Sequence, residues 1–248
     1  MKKIVKIISG ALLVCLFVLS LALIFNRQIK TYLIKSYQPK VTRDAVVKSE
    51  KLQRQASNSN AKRKSPRANQ KSHGVSYDFG GVKSLDLQTT TRARLKKNAV
   101  QVVGQILVPK SKIHLPIGLG VSNNTLALAA GTMRPDQKMG VGNYPLAGHH
   151  MINHDVLFGP LYYRTKVGEN LYLTDMKNVF KYKIYEKKFI SAYKVSVVNQ
   201  TKKKIITLVT CDKTGTNRLM VRGSYVGKQK LSDVSAKIKQ AFERPVNS

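Results

Sequence analysis

The chain has 248 residues, with 44 basic and 12 acidic side chains and a formal charge of +32. That length holds one ordinary domain plus appendages, and the charge excess implies an anionic neighbour: nucleic acid, an anionic bilayer or an acidic cell-wall polymer. The two cysteines exclude a disulfide framework, because Cys15 lies in an apolar segment that cannot meet Cys211 in a separate domain.

The first predicted element is Ile7–Phe25, 19 residues without a charge. As a helix it spans roughly 28 Å, close to the thickness of a bilayer hydrocarbon core. A cleaved signal peptide would have a shorter apolar run and a small-residue cleavage site. Here the run ends Leu23-Ile24-Phe25-Asn26-Arg27, so an uncleaved signal-anchor is expected over residues 1–26. Lys2, Lys3 and Lys6 precede it and Arg27, Lys30 and Lys35 follow. Positive charge on both flanks leaves the positive-inside rule undecided. A cytoplasmic N-terminus is expected because a single N-terminal anchor leads into a long soluble domain.

Residues 27–75 read as a basic extracellular linker. Arg27 to Lys71 holds 13 basic residues and two acidic ones, Asp44 and Glu50. Ile29–Ile34 can extend the anchor helix by a turn or two. Few large apolar residues follow Val47, so Gln53 to Gly74 is expected to be a flexible tether. Its charge suits an anionic membrane or cell-wall polymer, although a solvated tether has the same composition. Lys62-Arg63-Lys64-Ser65-Pro66-Arg67 would pass as a nucleic-acid motif, but beyond an outward-facing anchor no nucleic-acid partner is expected.

From residue 76 to 230 the composition changes to short apolar or alternating runs: Val100–Val108, Tyr172–Thr174, Val179–Tyr185, Val195–Val198, Ile205–Thr210 and Arg218–Val221. Breakers such as Arg134-Pro135-Asp136 and Val167-Gly168-Glu169-Asn170 separate them. This spacing predicts an all-β sandwich or barrel with short helices. Helix signals are confined to Thr125–Ala130, His154–Tyr163 and Asp233–Phe242. Residues 231–248 read as a short polar tail.

Three residue types in this region carry chemistry. Cys211 ends the run Ile205–Thr210 and meets the loop Asp212-Lys213-Thr214-Gly215. A free cysteine is often a buried hydrophobe, but a lone thiol at a strand rim in an exported chain is a candidate nucleophile. The histidines are His73, His114, His149, His150 and His154. His73 lies in the tether and His114 reads as a surface residue. On an extended chain His149 and His150 point to opposite sides, so only one can face the thiol. A metal site from His149, His150, His154 and Asp155 fits no common zinc spacing. Arg218 and Arg222 compete to stabilise an oxyanion. In a strand they lie about 13 Å apart, and the short loop Asp212–Asn217 keeps Arg218 nearer Cys211. Asp155, Asp175 and Asp212 could orient a histidine, but none stands in a recognisable triad position.

The strings Leu146-Ala147-Gly148-His149-His150, Thr207-Leu208-Val209-Thr210-Cys211 and Asn217-Arg218-Leu219-Met220-Val221-Arg222-Gly223 resemble a class A sortase, a membrane-anchored cysteine transpeptidase of Gram-positive bacteria. Tyr77-Asp78-Phe79, Ile106-Leu107-Val108-Pro109, Asn143-Tyr144-Pro145 and Leu157-Phe158-Gly159-Pro160-Leu161 extend the likeness in order from Tyr77 to Gly227. The resemblance implies a closed β-barrel of about eight strands. It assigns the histidine after Ala-Gly, His149, as acid and base, Cys211 as nucleophile and Arg218 as oxyanion donor. It places Ala147 and Thr210 along the peptide groove. It implies cleavage of an LPxTG-type signal between Thr and Gly, and transfer to an amine of the peptidoglycan precursor, lipid II, which anchors surface proteins to the wall. No cofactor or metal is expected. Calcium-responsive members use acidic clusters, and Asn123–Asp136 carries only Asp136. A cysteine peptidase, a non-enzymatic wall-binding protein and a pilus-polymerising sortase are the alternatives; the short polar segment Asp233–Ser248 disfavours the last.

Overall fold

The computed structural model describes residues 2–61, 75–77, 85–96, 100–212 and 214–247. Four helices come first: α1 (Lys2–Ile24), α2 (Asn26–Lys35), α3 (Arg43–Ala61) and α4 (Leu87–Leu95). Then follow β1 (Val102–Val108), β2 (Ile113–Gly118), α5 (Asn123–Leu128), β3 (Ala130–Thr132), β4 (Asn143–Ala147), α6 (Gly159–Tyr163), β5 (Asn170–Thr174), β6 (Asn178–Ser191), β7 (Ile205–Cys211), β8 (Asn217–Lys230) and α7 (Ala236–Glu243).

The strands close into a barrel in the order β1-β2-β3-β4-β7-β8-β6-β5, the architecture expected from the resemblance. Inward-pointing side chains fill it. On β4, Tyr144 and Leu146 join the central core; on β7, Ile206 and Leu208; on β8, Leu219 and Val221. This is the two-residue alternation of a sheet with one face buried. β5 closes the ring against β1, and Gly104 permits the approach: a Cβ there would lie 2.2 Å from the Thr174 carbonyl oxygen. β4 and β7 run parallel although 62 residues separate His149 from Cys211. Their pairing brings the two residues to the same end of the barrel.

The helices differ from expectation. Within α1 an 18-residue window has a mean hydropathy of 2.9 and no buried residue, consistent with a membrane-anchored protein. Phe25 N–H donates to Leu21 O and Ile29 N–H to Phe25 O, both at 2.9 Å, so α2 continues the hydrogen-bond ladder of α1. The tether expected over 53–74 is helical over 53–61 as the end of α3; residues 62–74 lie outside the described residues. α3 packs on the barrel: Val46 is buried, Leu52 touches the core, and Gln53 donates to Gln137 O at 2.9 Å. A cavity of about 450 Å³ remains between α3 and the barrel end where β4 begins, lined by Glu50, Gln53, Gln137, Tyr144, Asp175 and Phe180. The tail also packs. α7 places Phe242 against Leu107 and Val179, and Asn247 N–H donates to His114 O at 2.8 Å.

Candidate active site

β7 and β8 form a hairpin in which Cys211 stands directly opposite Arg218. Opposed residues of an antiparallel pair hold their Cα atoms about 4.5–5.5 Å apart, so the thiol and the guanidinium are neighbours by register. Asp212 N–H donates to Asn217 O at 3.1 Å and closes the hairpin immediately beyond them. The Asp212 carboxylate accepts from Thr214 Oγ1 and Asn217 N–H, each at 3.1 Å. Arg218 Nη1 donates to Gly215 O at 2.8 Å and Asn217 O at 3.0 Å, which anchors the cation over this loop.

The other neighbour of β7 is β4, where Ala147 pairs with Val209. Gly148 N–H then donates to Val209 O at 3.1 Å, so the two chains are still paired one residue before His149. His149 and Cys211 each lie two residues past that pair, at the same end of adjacent parallel strands. Gly148 must be a glycine: a Cβ there would meet the Phe158 ring at 2.5 Å. Phe158 N–H in turn donates to His149 O at 3.1 Å and folds the following loop back on the histidine. Cys211, His149 and Arg218 therefore share one rim of the barrel.

The electrostatics of the three groups are specific. Burial pushes the half-buried Cys211 thiol up, Arg218 pulls it down, and Asp212 adds a smaller upward push. Burial, with a smaller contribution from the charge of Lys30 on α2, lowers His149 to about 4. At neutral pH this arrangement is a thiol beside a neutral imidazole. It can pass a proton from sulfur to nitrogen as the thiol attacks, with a cation beside the developing charge.

The remaining sequence candidates lie partly beside this rim and partly elsewhere on the barrel. His150 seats its ring 4.5 Å from Tyr162, and its Nε2 is 3.2 Å from Tyr163 Oη; His154 stacks on Tyr163 at 3.6 Å. Asp155 pairs with Arg164, and Asp175 turns its carboxylate to the Lys177 and Asn178 N–H groups. Arg222 lies opposite Thr207 and pairs with Glu186 at 3.8 Å, so it is a member of an ion pair rather than an isolated surface charge. His114 is not a surface residue. It is 7 % exposed, meets Phe242 edge-on and Gln105 at 3.2 Å, and burial lowers it to about 4. His73 lies outside the described residues.

Of the two groove candidates, Ala147 lies on the outer face with Val121, Leu126 and Met133. Val209, Val197 and Met220 form a second buried apolar cluster on that side, sharing Met133 with the first, and Ala147 itself has no exposed surface. Thr210 is fully buried and opposite the core residue Leu219, so its side chain is on the inner face. Any contact of Thr210 with a peptide would be through its backbone.

Sequence reasoning read Ile29–Ile34 of α2 as an extension of the anchor helix but missed its packing on the loop after His149. Its Lys30 reaches the electrostatic surroundings of His149, Thr31 Oγ1 accepts from Asn153 Nδ2 at 3.3 Å, and Ile34 is buried with Met151, Val156 and Leu157. The spacing of Ile29, Leu33 and Ile34 was the available signal.

A family model described as the sortase domain matches residues 106–226. Sortase A of Listeria monocytogenes is 39% identical over 160 residues, 64% of this chain and 72% of that protein. Sortase A of Streptococcus agalactiae is 34% identical over 95% of this chain and 92% of that protein. The solved structure of Listeria monocytogenes sortase A superposes with a TM-score of 0.54 at 40% identity, covering 58% of this chain and 98% of that one.

Proposed function

The chain belongs to the sortase family, transpeptidases that anchor surface proteins, and from that premise we propose that Cys211, His149 and Arg218 carry the reaction on an LPxTG-type sorting signal. The observation that supports this most is the register: Arg218 opposite Cys211, and His149 just past the end of the parallel neighbour β4.

The Cys211 sulfur attacks the Thr–Gly carbonyl while His149 takes the thiol proton. Arg218 donates to the oxyanion. Collapse of the tetrahedral species breaks the C–N bond, and His149 passes its proton to the leaving glycine amine. A thioester on Cys211 remains. An amine of the peptidoglycan precursor then attacks the thioester, gives a proton to His149, and the proton returns to the departing sulfur. No metal or cofactor enters these steps. Ala147 and Val209, both buried beneath the outer face of β4 and β7, support the sheet under the peptide rather than contacting it by exposed side chains. The relatives named Sortase A support the class A reading over a pilus-polymerising one.

In this reading α1 remains as an anchor with the N-terminus in the cytoplasm and the barrel outside. The basic residues after α1 attract anionic lipid or wall polymer, a contact that weakens as salt shortens the screening length. Nucleic acid is not a partner.

The test is mass spectrometry of the protein with an LPxTG peptide, with and without an amine acceptor. A thioester adduct on Cys211, absent in Cys211→Ala, and a product joined to the amine are expected. Adduct on no residue, or peptide cleavage that the amine never intercepts, overturns the proposal.

A further inference from the structure

The segment that carries His149 is held from outside the barrel. Ile34 of α2 has no exposed surface and packs on Met151, Val156 and Leu157, which follow the histidine. Thr31, one turn earlier on the same face, accepts a hydrogen bond from Asn153 of that loop. Lys30, half-buried, donates to Leu85 O at 3.1 Å and is the charge that acts on His149 from α2. α4 secures α2 in turn: Arg94 donates to Ser36 O at 3.0 Å and lies over the Tyr37 ring. The solvent side of α2 carries Arg27, Tyr32 and Lys35.

We propose that α2 is a membrane-linked strap over the catalytic loop, and that Lys30, Thr31 and Ile34 are positioning residues that set how far His149 is open to water and to its reacting partners. The inference rests on the reading of His149 as acid and base. α2 continues the ladder of α1, so the strap is mechanically one piece with the anchor. Lys30 stands six residues beyond the end of α1 at Ile24, roughly 9 Å along a helix. The catalytic rim is therefore held close to the surface from which α1 emerges, where a lipid-linked acceptor would also be.

The strap acts by solvation. With α2 seated, His149 is 9 % exposed and feels the charge of Lys30. Both features disfavour the imidazolium that must protonate the leaving amine. With α2 loosened, water reaches the ring and the proton is held more readily. The other charged and titratable groups around this loop are His150, His154 and Asp155 on the loop itself, Tyr162, Tyr163 and Arg164 at α6, and Cys211 with Arg218 on the β7–β8 hairpin. Lys35 of α2 acts on Asp155.

The experiment uses the full chain in nanodiscs, in a Cys15→Ser background that leaves Cys211 as the one thiol. His149 is titrated by NMR of labelled imidazoles, and Cys211 acylation by an LPxTG peptide is followed against pH. Wild type is expected to titrate near 4. Ile34→Asp should move the midpoint up by about one unit or more toward 6.5 and carry the acid–base limb of kcat with it, with KM little changed. Lys30→Gln should give a smaller shift of the same sign. Tyr32→Asp puts the same charge on the exposed side of α2 and should shift nothing. A midpoint unchanged in Ile34→Asp, or moved equally by Tyr32→Asp, overturns the strap. If Ile34→Asp fails to fold, Ile34→Ala and Lys30→Gln decide by the same titration. Full activity in His149→Ala would instead sink the acid–base reading, whatever the midpoints do.

Discussion

The two halves of the catalytic rim are held by different physics. Cys211 and Arg218 stand opposite each other in a hairpin whose backbone hydrogen bonds fix their register. His149 stands past the end of β4, on a loop whose position depends on the Phe158 ring beneath Gly148 and on α2 pressed over Met151 and Leu157. A ladder moves only by breaking several hydrogen bonds together, whereas a packed loop shifts when one contact is altered. In the proposed reading the nucleophile and its oxyanion cation are thus held by a ladder, and the proton carrier is the adjustable member.

The strongest challenge to this contrast is His149→Ala beside His150→Ala. Loss of the proton carrier should slow both acylation and transfer by about 10²–10⁴-fold, while His150→Ala keeps most activity. Burst and steady-state kinetics with peptide and amine separate the two steps; a larger loss in His150→Ala would mean the loop presents the other imidazole. On the rigid side, Arg218→Lys keeps the charge but not the planar fork. It should cost about 10²–10³ in acylation, and Arg222→Ala, four residues along β8 and paired with Glu186, should cost little. Equal losses at the two positions would show that register does not select the cation.

Gly148→Ala tests the loop without touching a reacting group. The added methyl meets Phe158 at 2.5 Å, and such overpacking costs about 1–3 kcal/mol. Turnover should fall, while alkylation of Cys211 and its response to Arg218 variants stay as in wild type. Altered Cys211 reactivity would mean the two halves are not independent.

The smallest effect is a pH dependence of stability far from the thiol. His114 titrates at about 4 when folded, below its ordinary 6.5. Between these values the unfolded chain binds more protons, so stability should rise with pH across this window, by at most about 1.4 kcal/mol per pH unit per histidine. Thermal unfolding from pH 4 to 7.5 should show a shallower slope in His114→Asn. An unchanged slope would place the dependence in His149 and its strap.

What the sequence determined by itself was local. Alternation on β7 and β8, a short loop between them and a cysteine at the strand end were enough to place Cys211 beside Arg218, because a hairpin joins neighbours in sequence. The apolar run of α1 was equally plain. The parallel pairing of β4 with β7 was not read from the sequence, since it joins segments that local patterns treat separately. Tertiary structure alone decided the rest. α3 looked too polar to order over residues 53–61, yet Leu52 and Gln53 find partners on the barrel. His114 looked exposed because the aromatic ring that covers it, Phe242, comes from the other end of the chain. α2 looked like an extension of the anchor because Ile34 shows its role only against Met151, Val156 and Leu157. Periodicity reports that a face is apolar; which surface it covers depends on contacts between residues more than a hundred positions apart, and those exist only in the folded chain.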